Sequence, residues 1–488
     1  MATASENLTI VVVGASGDLA RKKVIPALFG LYCQGFLPTK FRIFGFARTA
    51  MTSEEFRARA VENLTCRYVP GESCAQKMDE FLARCFYVQG PYASRDSFLD
   101  LFQAMQAEEG DEPADRLFYL AIPPSVFLDV SRAIGDAGLV QCGDRRPWSR
   151  VVVEKPFGRD RASSDALVAQ LGHVFTEGQT YRIDHYLGKE VIQNLLVLRF
   201  ANLIFEPIWN REHVQSVQIS WQEDIGTAGR GGYFDSYGII RDVVQNHLLQ
   251  IVALTAMEPP QSLNAQHIRD AKVAVLRSVP PVSRDQIVVG QYARTVRDGF
   301  DLPGYRDDSG VEDDSITPTF AQVLLHVRNP RWEGIPFLLH AGKAMDEKKT
   351  EVRIRFKNVP GNMFCSEGTC PAPNELVICI QPDEGIQLRV ANKVPGLGMT
   401  LEQQSLDLNY HAAFNRVIPQ AYEALLLDAL RGDKGLFVRD DELSAAWDIF
   451  TPILKELESH RAIPEPYAIG STGPDAAQRL RRAVQESV

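Results

Sequence analysis

The chain has 488 residues, with 52 basic against 62 acidic side chains and a net charge of −10. That length exceeds one ordinary hydrophobic core and implies two domains. The acidic balance argues against nucleic acid or an anionic membrane as the main partner, although a local basic cluster can still hold a small anion.

In chain order, Leu8–Val13 is a short apolar, β-branched run, as expected of a strand buried on both faces. Gly14, Ala15, Ser16 and Gly17 end it, and Leu19–Leu31 has helical spacing. Strand, glycine turn, helix is the opening of a dinucleotide-binding domain, here without the usual third glycine. The backbone from Gly14 through Asp18 and Leu19 is the expected pyrophosphate cradle at a helix N-terminus. A second strand, Phe41–Phe46, is followed by Arg48, where an acid would hold the ribose of NAD. A cation there suits a 2′-phosphate and therefore NADP; the plainer alternative is a surface arginine. Lys22 and Lys23 are expected to be solvated. Residues 52–110 read as helices around a polar loop at Pro70-Gly71. Leu117–Ile122 is a further buried strand, with Tyr119 a candidate wall of the cofactor cleft. Arg150–Pro156 is the next, and Lys155 emerges at its carboxyl end, where open α/β sheets bind ligands. The strand–helix alternation to about residue 180 predicts a parallel sheet.

Tyr181–Glu190 then packs two acids, an imidazole, two phenols and two cations into ten residues, ahead of a helix over 188–202. The plain alternative is a capped helix with a solvated basic turn; the functional one is an anion site at a helix mouth. Beyond it, period-two runs at 217–221, 286–289, 320–325, 351–356 and 376–380 predict a mostly antiparallel sheet. Helices over Asp235–Met257 and Ala412–Arg431 would cover one face, and Asp301–Asp314 reads as a mobile polar loop. The domain boundary is placed near 182, giving 1–182 and 183–488. Among nine histidines, His185 and His247 lie in dense polar contexts, and His247 by itself reads as a satisfied core histidine. Eight thinly spread cysteines make no zinc pattern, and reduced intracellular thiols are expected. No stretch is apolar enough to span a bilayer, no signal peptide is apparent, and no metal is expected.

Several motifs resemble those of the glucose-6-phosphate dehydrogenase family: RIDHYLGKE (182–190), GASGDLA (14–20), EKPFG (154–158), GRGGYFD (229–235), RDVVQNHLLQ (241–250) and GKA (342–344). They stand in that family's order and cover nearly the whole chain. The resemblance implies an N-terminal Rossmann domain, followed by a larger β+α domain for substrate binding and dimerisation. It implies NADP-dependent oxidation of glucose 6-phosphate to 6-phosphoglucono-1,5-lactone, the first step of the oxidative pentose phosphate pathway. In that family the counterpart of His247 is the catalytic base and that of Asp184 orients it. His185, Tyr186 and Lys189 would hold the phosphate. Lys155, Glu223, Asp242 and Gln381 would bind sugar hydroxyls, and Lys343 the sugar's far side. Lys348 stands where many members have arginine. A cytoplasmic homodimer or homotetramer is expected. The rivals are an oxidoreductase of unphosphorylated sugars, which shares the Glu-Lys-Pro strand end, and a non-catalytic NADP sensor. Some members bind a second, structural NADP. Lys349, Arg353 and Arg389 match part of that site, but His340, Cys379 and Gln387 stand where basic or aromatic groups belong, so the second site is not carried over to this chain.

Overall fold

The computed structural model describes residues 7–141, 146–227, 229–297, 299–365 and 370–486. It forms two compact units. Unit 1 comprises Met1–Glu190, Ser262–Arg269 and Val417–Ser444; unit 2 comprises Val191–Gln261, Asp270–Arg416 and Ala445–Val488.

Unit 1 is built on strands β1 (Asn7–Val13), β2 (Lys40–Ala47), β3 (Cys85–Gln89), β4 (Asp115–Leu120), β5 (Ser149–Glu154) and β6 (Thr180–Ile183). They pair in the order β6-β5-β4-β1-β2-β3, all parallel. Every residue of β1 is buried, which is why its sequence shows no alternation. The order reverses at β1, and the crevice beyond the carboxyl ends of β1 and β4 is where such sheets take a ligand. Gly14 sits at that point with φ +87°, and a Cβ there would lie 2.8 Å from the Ala121 carbonyl carbon and from Ile122 Cγ2. Only glycine lets β1 turn this close to the end of β4.

The segment 417–444 returns to unit 1. Its helix Ala421–Arg431 lies against helix Ile25–Cys33, and Arg150 donates to the Ala429 and Leu430 carbonyls at 2.7 and 2.8 Å. Phe437–Val438 pairs antiparallel with β6 as a seventh strand, with Phe437 edge-on to Tyr181 at 4.8 Å. The first stretch of unit 1 therefore runs to Glu190, and the unit takes in two later segments that no linear boundary describes.

Unit 2 holds a nine-stranded sheet in the order Leu401–Asn409, Gly385–Lys393, Glu375–Gln381, Lys349–Phe356, Val214–Gln222, Pro336–Gly342, Phe320–His326, Ile287–Ala293, Glu465–Ala468. Two pairs are parallel: Pro336–Gly342 with Val214–Gln222, and Glu465–Ala468 with Ile287–Ala293. The others are antiparallel, as the period-two runs predict. A helical run packs against the centre of this sheet: a π-helical stretch, Ile240–Leu248, continues as α-helix Leu249–Ala256.

Three expectations need correction. The helix read over Ala412–Arg431 is broken between Ala413 and Ala421. Pro419 lies in the break and disfavours helix at the residue before it. The loop Asp301–Asp314 is anchored: Tyr305 is fully buried and its hydroxyl donates to Asp235 Oδ1 at 2.8 Å, while Arg306 donates to Gln291 at 2.9 Å. The thiols are not all reduced, since Cys66–Cys74 and Cys365–Cys370 form disulfides; Cys33, Cys85 and Cys379 are free.

Candidate active site

Unit 1 gathers its polar residues at the carboxyl end of the parallel sheet. The turn Gly14–Gly17 leads into the helical run that begins at Ala20. Asp18, beyond it, is engaged by Arg21 at 3.0 Å and Lys22 at 2.8 Å. Arg48 follows β2 and is exposed, its guanidinium 5.1 Å from the Tyr92 ring centre. Beside it Thr49 Oγ1 donates to Ser16 Oγ at 3.0 Å, tying the end of β2 to the turn after β1. A guanidinium and two hydroxyls near the first glycine turn are the donor set that a ribose 2′-phosphate needs, so these residues fit NADP. Lys155 is half-buried just past β5.

Asp184 follows β6, is 2 % exposed and caps the turn His185–Gly188, with Oδ1 accepting from Tyr186 N at 3.0 Å. The turn buries Tyr186 and leaves His185 and Lys189 half-exposed, with Lys189 Nζ 5.1 Å from the Tyr186 ring centre. Gly188 is required by packing: a Cβ there would meet Leu425 Cγ at 2.9 Å and the Ala421 carbonyl carbon at 3.0 Å. Helix Ala421–Arg431 thus seats the whole turn.

Two residues of this neighbourhood escaped sequence reasoning. Glu154, the last residue of β5, is buried, and the Tyr119 hydroxyl donates to its carboxyl. Burial, reinforced by Asp184 and opposed by the Tyr119 and Tyr422 phenols and Lys155, raises its pKa to about 7. Tyr422 lies parallel to His185, ring planes within 8° and centres 6.2 Å apart. Tyr119 is therefore not a cleft wall: it has no exposed surface and points inward to Glu154. Buried strands hide which face a residue takes, since both faces are apolar. Tyr422 lies more than two hundred residues from the turn it stacks on, and no local signal marks it.

In unit 2, Glu223 and Lys343 follow two adjacent parallel strands, Val214–Gln222 and Pro336–Gly342. Lys343 Nζ is 2.6 Å from Glu223 Oε2 and 5.3 Å from the ring centres of Trp221 and Phe234. Glu223 N donates to Gly342 O at 2.9 Å, which fixes the pair at the backbone. Lys349 pairs with Gln222 and Thr350 with Gln381, so exposed Lys348 and half-buried Gln381 lie at the same end of the sheet. His247 is 2 % exposed on the π-helical stretch, and its backbone N donates to Asn246 Oδ1 at 2.6 Å. Asp242, five residues earlier, is half-buried. Single π turns recur at functional sites because they re-aim side chains within a helix.

The basic residues that match part of the family's second NADP site are paired with carboxylates. Lys349 meets Glu347 at 2.8 Å, Arg353 meets Glu351 at 2.9 Å and Glu375 at 2.7 Å, and Arg389 meets Glu375 at 3.4 Å. The cavity of about 270 Å³ beside Lys349 and Arg353 carries more carboxylates than cations. His340 is fully buried, which pushes its pKa down to about 3 and leaves it neutral.

Comparison with known proteins agrees along the whole chain. Residues 11–194 match the family model "Glucose-6-phosphate dehydrogenase, NAD binding domain" and residues 196–487 match "Glucose-6-phosphate dehydrogenase, C-terminal domain". The chain is 52% identical over 476 residues to chloroplastic glucose-6-phosphate 1-dehydrogenase 1 of Arabidopsis thaliana, covering 97% of this chain and 82% of the relative. It is 49% identical to cytoplasmic glucose-6-phosphate 1-dehydrogenase 6 of the same plant, covering 97% and 90%. A solved glucose-6-phosphate dehydrogenase in complex with glucose 6-phosphate is similar with a TM-score of 0.90 and 44% identity, covering 98% of each chain. With both family models matched end to end on a Rossmann sheet and a nine-stranded sheet, the chain belongs to the glucose-6-phosphate dehydrogenase family.

Proposed function

We infer that this chain oxidises glucose 6-phosphate to 6-phosphoglucono-1,5-lactone with NADP, the entry step of the oxidative pentose phosphate pathway. The observation that carries it is the full-length match to a chain solved with glucose 6-phosphate. Bound NADP supplies the acceptor for the hydride that leaves the anomeric carbon. His247 takes the proton of the anomeric hydroxyl as catalytic base, and Asp184 orients the imidazole and stabilises the cation it becomes.

The remaining roles are assigned by chemistry. His185, Tyr186 and Lys189 hold the phosphate, where charge-assisted contacts suit a dianion. Lys155, Glu223, Asp242, Lys343 and Gln381 bind the sugar, where buried polar groups discriminate hydroxyl pattern strongly. Lys348, exposed and a point charge rather than a fork, adds a cation beside them. Gly14–Leu19 and Arg48 take NADP, with Lys155 reaching both ligands. Unphosphorylated sugars give the turn's cations nothing to hold, which disfavours the rival oxidoreductase.

We further propose a cytoplasmic homodimer or homotetramer. The edge strand Leu401–Asn409 is exposed along nearly its whole length and presents Leu406 and Leu408, a surface that favours a covering partner. Among the described residues, no helix is long and apolar enough to cross a membrane. The test is an absorbance assay at the reduced-nicotinamide band, with NADP and NAD and with glucose beside glucose 6-phosphate. Activity with NADP and the phosphorylated sugar is expected; turnover of glucose alone, or none at all, overturns the assignment.

A further inference from the structure

We propose that Tyr467 is a positioning residue for the sugar site: its buried hydroxyl holds the Lys343 carbonyl, and with it the strained turn that aims Lys343 at Glu223. This rests on the assignment of Lys343 to the sugar of the substrate.

The turn begins where strand Pro336–Gly342 ends. Ala344 is 2 % exposed and has φ +52°, which puts an alanine in the left-handed region. There its Cβ crowds the backbone, and such a conformation persists only where the surroundings over-determine it. Hydrogen bonds from three neighbouring segments do so. Lys343 N donates to Thr319 O at 3.1 Å, Ala344 N to Ile225 O at 2.9 Å and Met345 N to Glu223 O at 2.8 Å, while Ala344 O accepts from Gly470 N at 2.9 Å. A side chain adds the contact that closes the set: the Tyr467 hydroxyl donates to Lys343 O at 2.7 Å. It meets the lysine at its carbonyl, so it acts on the ammonium through the turn. Rotation of the peptide between Lys343 and Ala344 would carry Nζ away from Glu223 Oε2, now 2.6 Å distant.

Tyr467 is itself fixed. It is 4 % exposed on strand Glu465–Ala468, with its ring centre 5.7 Å from that of Phe320 and 6.4 Å from that of Tyr292. A phenol has one proton, and here it goes to the Lys343 carbonyl. The Thr319 hydroxyl, 2.9 Å away, therefore donates to the phenol oxygen, and Thr319 Oγ1 accepts from Tyr292 N at 3.1 Å. The bonds run one way, from Tyr292 N through Thr319 and Tyr467 to Lys343 O, and bonds aligned in one sense polarise one another. Burial pushes the phenol's pKa above its ordinary value, so the donated proton stays in place.

The experiment measures kcat and both Michaelis constants in the full chain for Tyr467→Phe, Ala344→Gly, the two combined, Thr319→Val and Lys343→Met. Tyr467→Phe keeps the ring and removes the hydroxyl. The constant for glucose 6-phosphate should rise about three- to tenfold, as for one lost neutral hydrogen bond, and that for NADP less than about twofold. Glycine takes a left-handed φ without strain, so in the Ala344→Gly background the turn no longer needs the hydroxyl. Adding Tyr467→Phe there should raise the constant by less than about twofold. A tyrosine that only stabilises the sheet would show no such rescue. Should Tyr467→Phe fail to accumulate, Thr319→Val removes the donor behind the phenol and should raise the same constant. An unchanged constant for glucose 6-phosphate in Tyr467→Phe (or in Thr319→Val as its stand-in), a parallel rise for both ligands, or a rise of equal size in the glycine background overturns the proposal. Lys343→Met separates the two failures. If it lowers kcat/KM for glucose 6-phosphate while Tyr467→Phe changes nothing, only the positioning role falls. If Lys343→Met too has no effect, the assignment of Lys343 to the sugar falls with it.

Discussion

Lys343 and Glu223 form an ion pair of 2.6 Å at the carboxyl ends of two adjacent parallel strands, with both side chains mostly removed from solvent. Each strand continues one residue past the ladder to present its charge. Both are assigned to the sugar, and the pair pre-orients them before substrate arrives. Lys343→Met and Glu223→Gln should each lower kcat/KM for glucose 6-phosphate. A double-mutant cycle should return a coupling of about 0.5–3 kcal/mol. Additive losses would show that the two act on the sugar independently.

His247→Asn keeps a hydrogen-bonding side chain and removes the proposed base. Turnover should fall by about 10²–10⁴-fold, the usual contribution of a positioned general base. Michaelis constants for both ligands should move little, because ground-state binding is retained. Steady-state kinetics with both ligands varied measures the split, and near-normal turnover would move the base elsewhere.

Arg48→Ala removes the cation proposed to hold the 2′-phosphate. Affinity for NADP should fall on the order of ten- to a hundredfold, as for a charged contact, with NAD almost unaffected. Fluorescence titration with both reduced cofactors reads this directly. Equal losses would make the guanidinium, with its Tyr92 contact, a surface feature.

Gly188→Ala places a methyl group against Leu425 and the Ala421 carbonyl. The turn or the helix must give way, at a cost of about 1–3 kcal/mol in chemical denaturation. The Michaelis constant for glucose 6-phosphate should rise with it, while that for NADP holds. An intact protein of unchanged stability would mean that the helix is free to shift.

What was legible in the sequence follows a physical rule. The β1 run, the glycine turn and Lys155 after β5 were readable because buried parallel strands leave continuous apolar runs that end where ligands bind. The strand Lys349–Phe356 of unit 2 was readable for the opposite reason, since burial alternates along its second half. Tyr119 was misplaced because a strand buried on both faces carries no mark of direction. Tyr422 and Glu154 were missed because neither lies in a polar cluster of its own, and Tyr422 meets His185 on a helix returning from residue 421. The disulfides were missed because two cysteines eight or five residues apart look the same whether they are paired or not.

The late strand Phe437–Val438 also sets an order of events during synthesis. β6 has left the ribosome long before its antiparallel neighbour exists, and the helix that seats Gly188 comes later still than the turn it supports. At roughly 5–20 residues per second, the first 190 residues wait on the order of ten to fifty seconds for residues 417–444. Through that interval the growing Rossmann sheet carries an open edge and a turn without its seat. The residues proposed to hold the phosphate are thus among the first made and among the last to be held in place, so a chain released early has a nucleotide fold without a finished turn at His185–Gly188.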